Sequence, residues 1–448
     1  MVTGNACHPV DGTVCAVPRL ALHLDYKSSN LIDISDRPGE EVSMSAATTF
    51  DELDHAVPVL DETTAVSVAQ ALAAELAEGA AERDAERVLP AREIDALSAS
   101  GLLGITVPRE YGGAGLPAGA VAEVFRLLAI GDPNVAQIPH SHFVYVNAMR
   151  HQGTRSQQAF FFGEALEGKR FGNAQSEIGT QHVRDFRTTL RPAGGDLWHL
   201  DGDKGYSTGA LFADWIPVLA HLGEDGPMHV AWVDRRADGV TVIDDWDGIG
   251  QRTTASGSVR LRNVAVHTSR ITPYHLTFEG PQTYGAFAQL LHAAIDAGIA
   301  RAALDEAAEF VTTKSRPYPD AGVERAADDP LVIHAFGQLE LEVRAAEALL
   351  TEAGLAVEQA DLDLTEQTAG EASLAVAAAR ASSTRASVEV GSRLFEVAGT
   401  RSALASLNLD RHWRNARTHT LHDPASWKVQ HLGRYAVDGT LPPNHGQL

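Results

Sequence analysis

Between Trp413 and Pro424 the chain reads WRNARTHTLHDP, which sets two arginines, two histidines and an aspartate in one short segment. Imidazole donates or accepts a proton near neutral pH, so His419 and His422 are the first candidates for chemistry. Standing three residues apart, they face the same side if the segment is helical. The plain alternative is a pair of structural histidines bonded to backbone carbonyls. His419, His422 and Asp423 include metal-ligand types, but a zinc site wants three or four convergent ligands. No second His/Cys pair stands at metal spacing, and no metal is expected. Arg316 and Arg401 carry the guanidinium fork that suits phosphate oxygens, with surface salt bridges as their ordinary use.

The elements that must position these residues follow from periodicity. A helix capped by Asp61 or Thr63 runs through DETTAVSVAQALAAELAEGAAERDAERVLP, with apolar residues at three- and four-residue spacing, and ends near Pro90. A short helix, a loop punctuated by Pro108, Gly112, Gly113 and Gly115, and the helix AGAVAEVFRLLAIGD come next. From Phe171 to Thr277 short alternating runs such as WHLDGDKGYSTGA, DWIPVLAHL and MHVAWVDRR read as strands between Gly/Asp turns. From Tyr284 to Asp438 long alanine-rich helices return, and these need lateral neighbours to be stable. The expected class is α+β in helix, sheet, helix-bundle order. Its boundaries are a disordered tail at 1–55, an N-terminal helical domain at 56–165, a β-domain at 166–280 and a helical bundle at 281–448.

Composition narrows the function classes. A chain of 448 residues with 44% hydrophobic and 21% charged residues is an ordinary globular composition. The formal net charge of −23 argues against a nucleic-acid surface, which is built from lysine and arginine. Apolar runs such as Leu374 to Ala379 are too short to span a bilayer. The two cysteines, Cys7 and Cys15, lie in the N-terminal stretch and provide no disulfide framework for the body of the chain. Residues 1–20 lack a basic segment followed by an apolar one, so no secretory signal is expected and the location is read as cytoplasmic. Met44 is a second candidate start.

The element order, with VPREYGGAGL in the first helical part and DGDKGYSTGALFADW in the sheet part, resembles the acyl-CoA dehydrogenase superfamily over about residues 56–440. Dehydrogenases of that superfamily usually carry a catalytic glutamate near this C-terminal position. Here the region reads RTHTLHDP, with no Glu between Arg411 and Leu448. The segments DWDGIGQRTTASGS, KSRPYPDAG, EVAGTR, DRHWRNARTHTLHDP and DGTLPP are instead similar to the dibenzothiophene monooxygenase branch and to the sulfur-acquisition oxidoreductases associated with dimethyl sulfone use.

That resemblance implies a two-component monooxygenase. It would take reduced FMN from a separate NAD(P)H-dependent flavin reductase, bind O2 as a flavin C4a-hydroperoxide, and pass one oxygen atom to a small organosulfur compound. By motif position His422, with His419 beside it, would hydrogen-bond the peroxide, and Thr208 would stand at the flavin N5 edge. Asn173, Ser176, Trp246 and Ser256 would line the flavin; turn, core or strand duty is the plain alternative for each. Arg316 and Arg401 would clamp the flavin phosphate, Arg316 from a neighbouring subunit of a homo-oligomer, expected to be a tetramer. His140 and His142 would meet the substrate, which PNVAQ and IPHSHFVYV make smaller or more polar than a polycyclic one. The branch match favours FMN over FAD, and the inserted Pro317, Pro319 and acidic loop before Phe336 weaken the FAD case. Three alternatives remain at this stage: an FAD-dependent acyl-CoA dehydrogenase with Glu396 as base, an N-hydroxylating relative, and a catalytically silent scaffold.

Overall fold

The structure, a computed structural model, describes residues 57–180, 185–224 and 226–446. The expectations for the tail at 1–55, for Met44 and for the two cysteines fall outside the described residues.

Among the described residues seven α-helices come first: α1 (Glu62–Ala77), α2 (Ala80–Glu86), α3 (Ala91–Ala99), α4 (Ala118–Gly131), α5 (Pro133–Gln137), α6 (His140–Gln152) and α7 (Arg155–Leu166). Asp61 is the cap of α1, accepting from the Thr64 amide at 2.8 Å, and Ala65, Ala69, Leu72 and Leu76 form its buried stripe. The helix expected to continue to Pro90 breaks at Gly79, whose φ of 74° is the left-handed conformation that glycine adopts without penalty.

The strands β1 (Thr189–Gly194), β2 (Leu197–Lys204), β3 (Trp215–Leu222), β4 (Met228–Asp234), β5 (Val240–Ile243), β6 (Ser258–His267) and β7 (Ile271–Thr272) form one seven-stranded sheet in the order β5-β6-β2-β1-β3-β4-β7. Only β1 and β3 pair in parallel. In β6 the buried positions run Val259, Leu261 and then Val264, Val266, so the two-residue alternation slips by one. The cause is a bulge opposite Asp201, whose carboxylate accepts from the Asn263 amide at 2.8 Å while Asn263 takes a φ of 52°. Rings join the first helices to the sheet. Phe161 of α7 lies 4.2 Å from Trp232 of β4, centroid to centroid, with Phe171 and Tyr145 around them.

The last part is α8 (Tyr284–Thr313), α9 (Pro330–Leu362), α10 (Glu366–Ala398), α11 (Arg411–His419) and α12 (Ala425–Asp438). From Tyr284 to Ala300 every residue of α8 is buried. A helix enclosed on all sides needs no amphipathic stripe, and its few polar residues must find partners inside the protein. No helix among the described residues is long and apolar enough to cross a membrane.

Candidate functional site

Helix α11 is clamped from three directions, and the clamp uses much of the charge in WRNARTHTLHDP. Glu306 of α8 accepts from His412 Nε2 at 2.7 Å and from the Arg411 guanidinium. Asp84 of α2 accepts from Arg414 Nη2 at 2.6 Å. Asn415 Oδ1 accepts from the Gln251 backbone amide at 2.7 Å. The loop before Gln251 packs so tightly that a Cβ at Gly250 would lie 1.9 Å from the Arg414 carbonyl oxygen.

The last residue of this clamped helix is His419, which is fully buried. Its Nδ1 lies 2.5 Å from Asp296 Oδ1, and its Nε2 lies 3.0 Å from Gln137 Oε1 and 3.1 Å from His292 Nδ1. Asp296 is also fully buried and takes the Arg380 guanidinium on its other oxygen. Burial works against its charge, but His419 and Arg380 outweigh it and hold the carboxyl below the usual range.

His422 sits in the turn after α11. Its Nδ1 donates to the His419 carbonyl at 2.6 Å, and its Nε2 accepts from Gln137 Nε2 at 3.2 Å. The residue is exposed, and both ring nitrogens are hydrogen-bonded within the protein. Protein atoms around them, and then the charge on His419, hold His422 below the usual histidine range.

His292 lies 4.5 Å from His422 and 4.0 Å from His140, centroid to centroid, stacked face to face on His140. Burial, and then the other imidazoles, keep His292 well below its ordinary value. His140 donates through Nε2 to the Ala288 carbonyl at 2.9 Å, and burial pushes it down to about 4. The expected pair, His419 and His422, is therefore part of a group of four rings bridged by one glutamine.

His142 is elsewhere. Two residues along a helix turn the side chain by about 200°, so it points away from His140. It accepts from the Phe171 amide at 3.2 Å and donates to the Leu103 carbonyl at 2.9 Å. Both nitrogens are committed to backbone, and the structure does not bring His142 into the group of four rings expected to meet the substrate.

The metal expectation also needs restating. Ring nitrogens of His292, His419 and His422 lie within 4.8 Å of one another, so the third ligand type at this place is His292 and not Asp423. Within the protein these nitrogens bond one another, Gln137, Asp296 and backbone.

A second cluster surrounds Thr208. Thr208 Oγ1 and Ser256 Oγ are 2.6 Å apart, Ser256 Oγ and Thr254 Oγ1 are 2.7 Å apart, and Thr254 Oγ1 donates to the Gln251 carbonyl at 3.0 Å. The last bond fixes the direction of the chain: Ser256 donates to Thr254 and Thr208 to Ser256, leaving the Thr208 oxygen with lone pairs to offer. Asn173 donates through Nδ2 to the Tyr206 carbonyl at 3.2 Å, and the Ser176 carbonyl accepts from the Gly205 amide at 3.0 Å. Trp246 donates to the Gln251 carbonyl at 2.7 Å and meets Tyr206 edge to face. These residues all adjoin the loop that carries Thr208.

Several buried polar atoms here have no partner: both amide atoms of Gln251, Ser207 Oγ, Thr253 Oγ1 and Asn173 Oδ1. Buried groups are normally satisfied, so their concentration at one place fits a ligand with an edge of donors and acceptors, as an isoalloxazine ring has.

Arg316 and Arg401 are not in either cluster. Both are exposed, and Arg401 Nη1 donates to the Lys314 carbonyl at 2.9 Å, which puts the two arginines at one outer corner where the ends of α8 and α10 meet. Glu396 is also exposed and pairs with Arg393 at 3.0 Å, so it is no base for this site.

Sequence reasoning missed Gln137, Asp296, His292, Arg380, Gln251 and Thr254. One signal was available. His292 and Asp296 stand four apart in the apolar run LLHAAIDAG, one polar face on a buried helix.

Comparison with known proteins gives the family. The acyl-CoA dehydrogenase N-terminal, middle and C-terminal domains match residues 61–169, 172–264 and 290–427. The chain is 33% identical to the dibenzothiophene monooxygenase of Rhodococcus qingshengii, over 84% of this chain and 94% of that protein. It is 30% identical to the probable FMNH2-dependent monooxygenase SfnC of Pseudomonas putida, over 84% and 96%. The structure is similar to TdsC from Paenibacillus sp. A11-2 in complex with FMN and indole, with a TM-score of 0.81 and 32% identity over 86% of this chain and 99% of that one. It is also similar to the methanesulfinate monooxygenase MsuC of Pseudomonas fluorescens, with a TM-score of 0.79 and 31% identity over 86% and 99%. The chain belongs to the acyl-CoA dehydrogenase family, in its branch of FMN-dependent monooxygenases acting on sulfur compounds.

Proposed function

We propose that the chain oxygenates a small, polar organosulfur compound with reduced FMN from a separate flavin reductase. The observation that carries this reading is the group of four imidazoles and one amide at the helical side of the site, where a polycyclic substrate would need apolar walls. Similarity to a methanesulfinate monooxygenase supports the same size class.

Reduced FMN, when bound, supplies the electrons that activate O2. Thr208, Ser256, Thr254 and the Gln251 amide hold its ring. Asn173, Ser176 and Trp246 border it. Because the Thr208 oxygen is an acceptor, it suits the N–H that a reduced flavin carries at N5. His422, with its Nδ1 proton committed to backbone, offers Nε2 to a donor on the reactants. The Gln137 contact on that nitrogen is long enough for a reactant to displace. Arg316 and Arg401, turned outward together, serve the phosphate of a flavin shared with a neighbouring subunit, in a homotetramer. The location that suits a reductase partner is the cytoplasm.

The test is product analysis under 18O2 with reduced FMN regenerated by a flavin reductase. Methanesulfinate, a dialkyl sulfide, dibenzothiophene and a primary amine serve as parallel substrates. One 18O atom in a small sulfur product is expected. Labelling of dibenzothiophene alone overturns the size class, and labelling of the amine alone overturns sulfur. In His422→Ala, labelled product should fall by roughly 10²- to 10⁴-fold while FMN binding stays near wild type. Equal turnover in that variant removes His422 from the chemistry.

A further inference from the structure

We infer that Asp296 and Gln137 are positioning residues that store one proton charge on His419 and so keep His422 neutral, with its Nε2 lone pair as the accepting atom of the site. The inference deepens the monooxygenase reading and rests on it for its purpose, but the proton arrangement stands on hydrogen-bond geometry alone.

The argument is a count of protons. His422 Nδ1 faces the His419 carbonyl at 2.6 Å and must carry hydrogen. His419 Nδ1 faces the Asp296 carboxylate at 2.5 Å and must also carry hydrogen. The two remaining Nε2 atoms contact opposite ends of one amide, Gln137, at 3.0 and 3.2 Å. An amide has one accepting and one donating end. Whichever way it is turned, one Nε2 meets the oxygen and needs a proton, and the other meets the NH2 and must be bare. Either orientation therefore leaves one of the two rings with two protons.

The surroundings decide which ring. His419 has the buried carboxylate of Asp296 from α8 against it, and it ends α11, where the helix dipole favours a cation. Arg380 from α10 opposes the cation but is itself bound to Asp296. His292 from α8 is neutral and accepts through Nδ1 at 3.1 Å, with neutral His140 from α6 stacked behind it. His422, in the turn after α11, is followed by Asp423, whose carboxylate lies 3.4 Å from Lys428 of α12 and 3.9 Å from Arg380. No carboxylate touches the His422 ring among the described residues. The cation belongs on His419, and Gln137 transmits that choice as the orientation of its amide. A buried carboxylate that holds an imidazole through Nδ1–H is a known way of fixing ring and tautomer.

The test uses the flavin-free protein, so it is independent of turnover. Solid-state NMR of [15N]histidine-labelled protein distinguishes rings with one and two protons. In the wild type one ring of the pair should carry two protons while exposed histidines are neutral. In Asp296→Asn, which removes the opposite charge in contact, that signal should be lost. Gln137→Glu sets acceptors against both Nε2 atoms, so a second doubly protonated ring should appear near pH 7. It covers the case in which Asp296→Asn fails to fold. Absence of any doubly protonated ring in the wild type while exposed histidines are neutral overturns the inference. So does a Gln137→Glu spectrum identical to wild type. Failure of the wild type to label any product under 18O2 would overturn the functional reading and leave the proton arrangement untouched.

Discussion

The ring nitrogens of His419 and His422 are hydrogen-bonded inside the protein, while Arg380 Nη2 and the Asp423 carboxylate beside them are not; around Thr208 the unpartnered atoms lie in the loops themselves. Each ring nitrogen of His419 and His422 has a partner on another side chain or on backbone. By contrast, Gln251, Ser207, Thr253 and Asn173 each carry buried polar atoms with none. Rings whose nitrogens are already partnered are oriented before any ligand arrives. An unsatisfied cluster costs stability until a ligand supplies the missing partners. In the proposed function the first region shapes the reaction and the second holds the cofactor, and the contrast is consistent with that division.

If that division is right, the histidine region should be the fragile one when a partner is removed. Arg380→Met leaves the fully buried Asp296 with His419 as its one cationic neighbour. Removing one member of a buried ion pair costs about 3–5 kcal/mol. Urea unfolding should show a loss of that size in the flavin-free protein. A loss below about 1 kcal/mol, the level of an exposed pair, would mean that solvent reaches this cluster.

Acid should also weaken the helical side. Burial pushes His140 and His142 down to about 4, whereas an unfolded histidine titrates near 6.5. Above pH 6.5 both states are neutral at these rings and no stability changes hands. As pH falls from 6.5 towards 4 the unfolded chain takes up protons that the folded rings refuse, and stability declines by up to about 3 kcal/mol per ring. Below about 4 the folded rings titrate as well and the slope ends. Urea midpoints between pH 7 and pH 5, where carboxylates contribute little, should fall, and His142→Asn should flatten that fall. A flat profile in the wild type would mean that these rings are open to protons.

How much of this was legible in the sequence differs between the two regions for physical reasons. The helix, sheet, bundle order is carried by local periodicity, and Asp61 as a cap is a three-residue pattern. His419, His422, Thr208 and Ser256 stand in short motifs whose resemblance to a family located them. Gln137 carries no such signal. It matters because α5, started by Pro133 and capped by Asp132 under Arg83, delivers its amide between two rings far along the chain. Gln251 is equally silent, since its importance comes from a backbone φ of 50° and the approach of α11. The break at Gly79 was visible as a glycine, but a continuous apolar pattern on both sides outweighed it. His140 and His142 stand in one short motif, but helical geometry sends residues two apart to opposite sides.

Gln251→Leu separates the two regions most cleanly, because its two expected effects have opposite signs. The wild-type amide is 2% exposed with both polar atoms unpartnered, so replacing it with an apolar side chain of similar size relieves a desolvation cost. The flavin-free protein should be as stable as wild type or more stable, by up to about 1 kcal/mol. The backbone of residue 251 still accepts from Thr254 and Trp246, so the loop keeps its shape. Binding of FMN should nevertheless weaken by about tenfold, the worth of one or two net hydrogen bonds, read by fluorescence titration. Thr208→Val, which removes the accepting oxygen of the same loop, should weaken binding less for oxidised than for reduced FMN, since only the reduced ring presents N–H at N5. A Gln251→Leu protein that loses stability and keeps its flavin affinity would show that the amide is satisfied in solution by water, and the orphaned atoms would then mark hydration and not a cofactor edge.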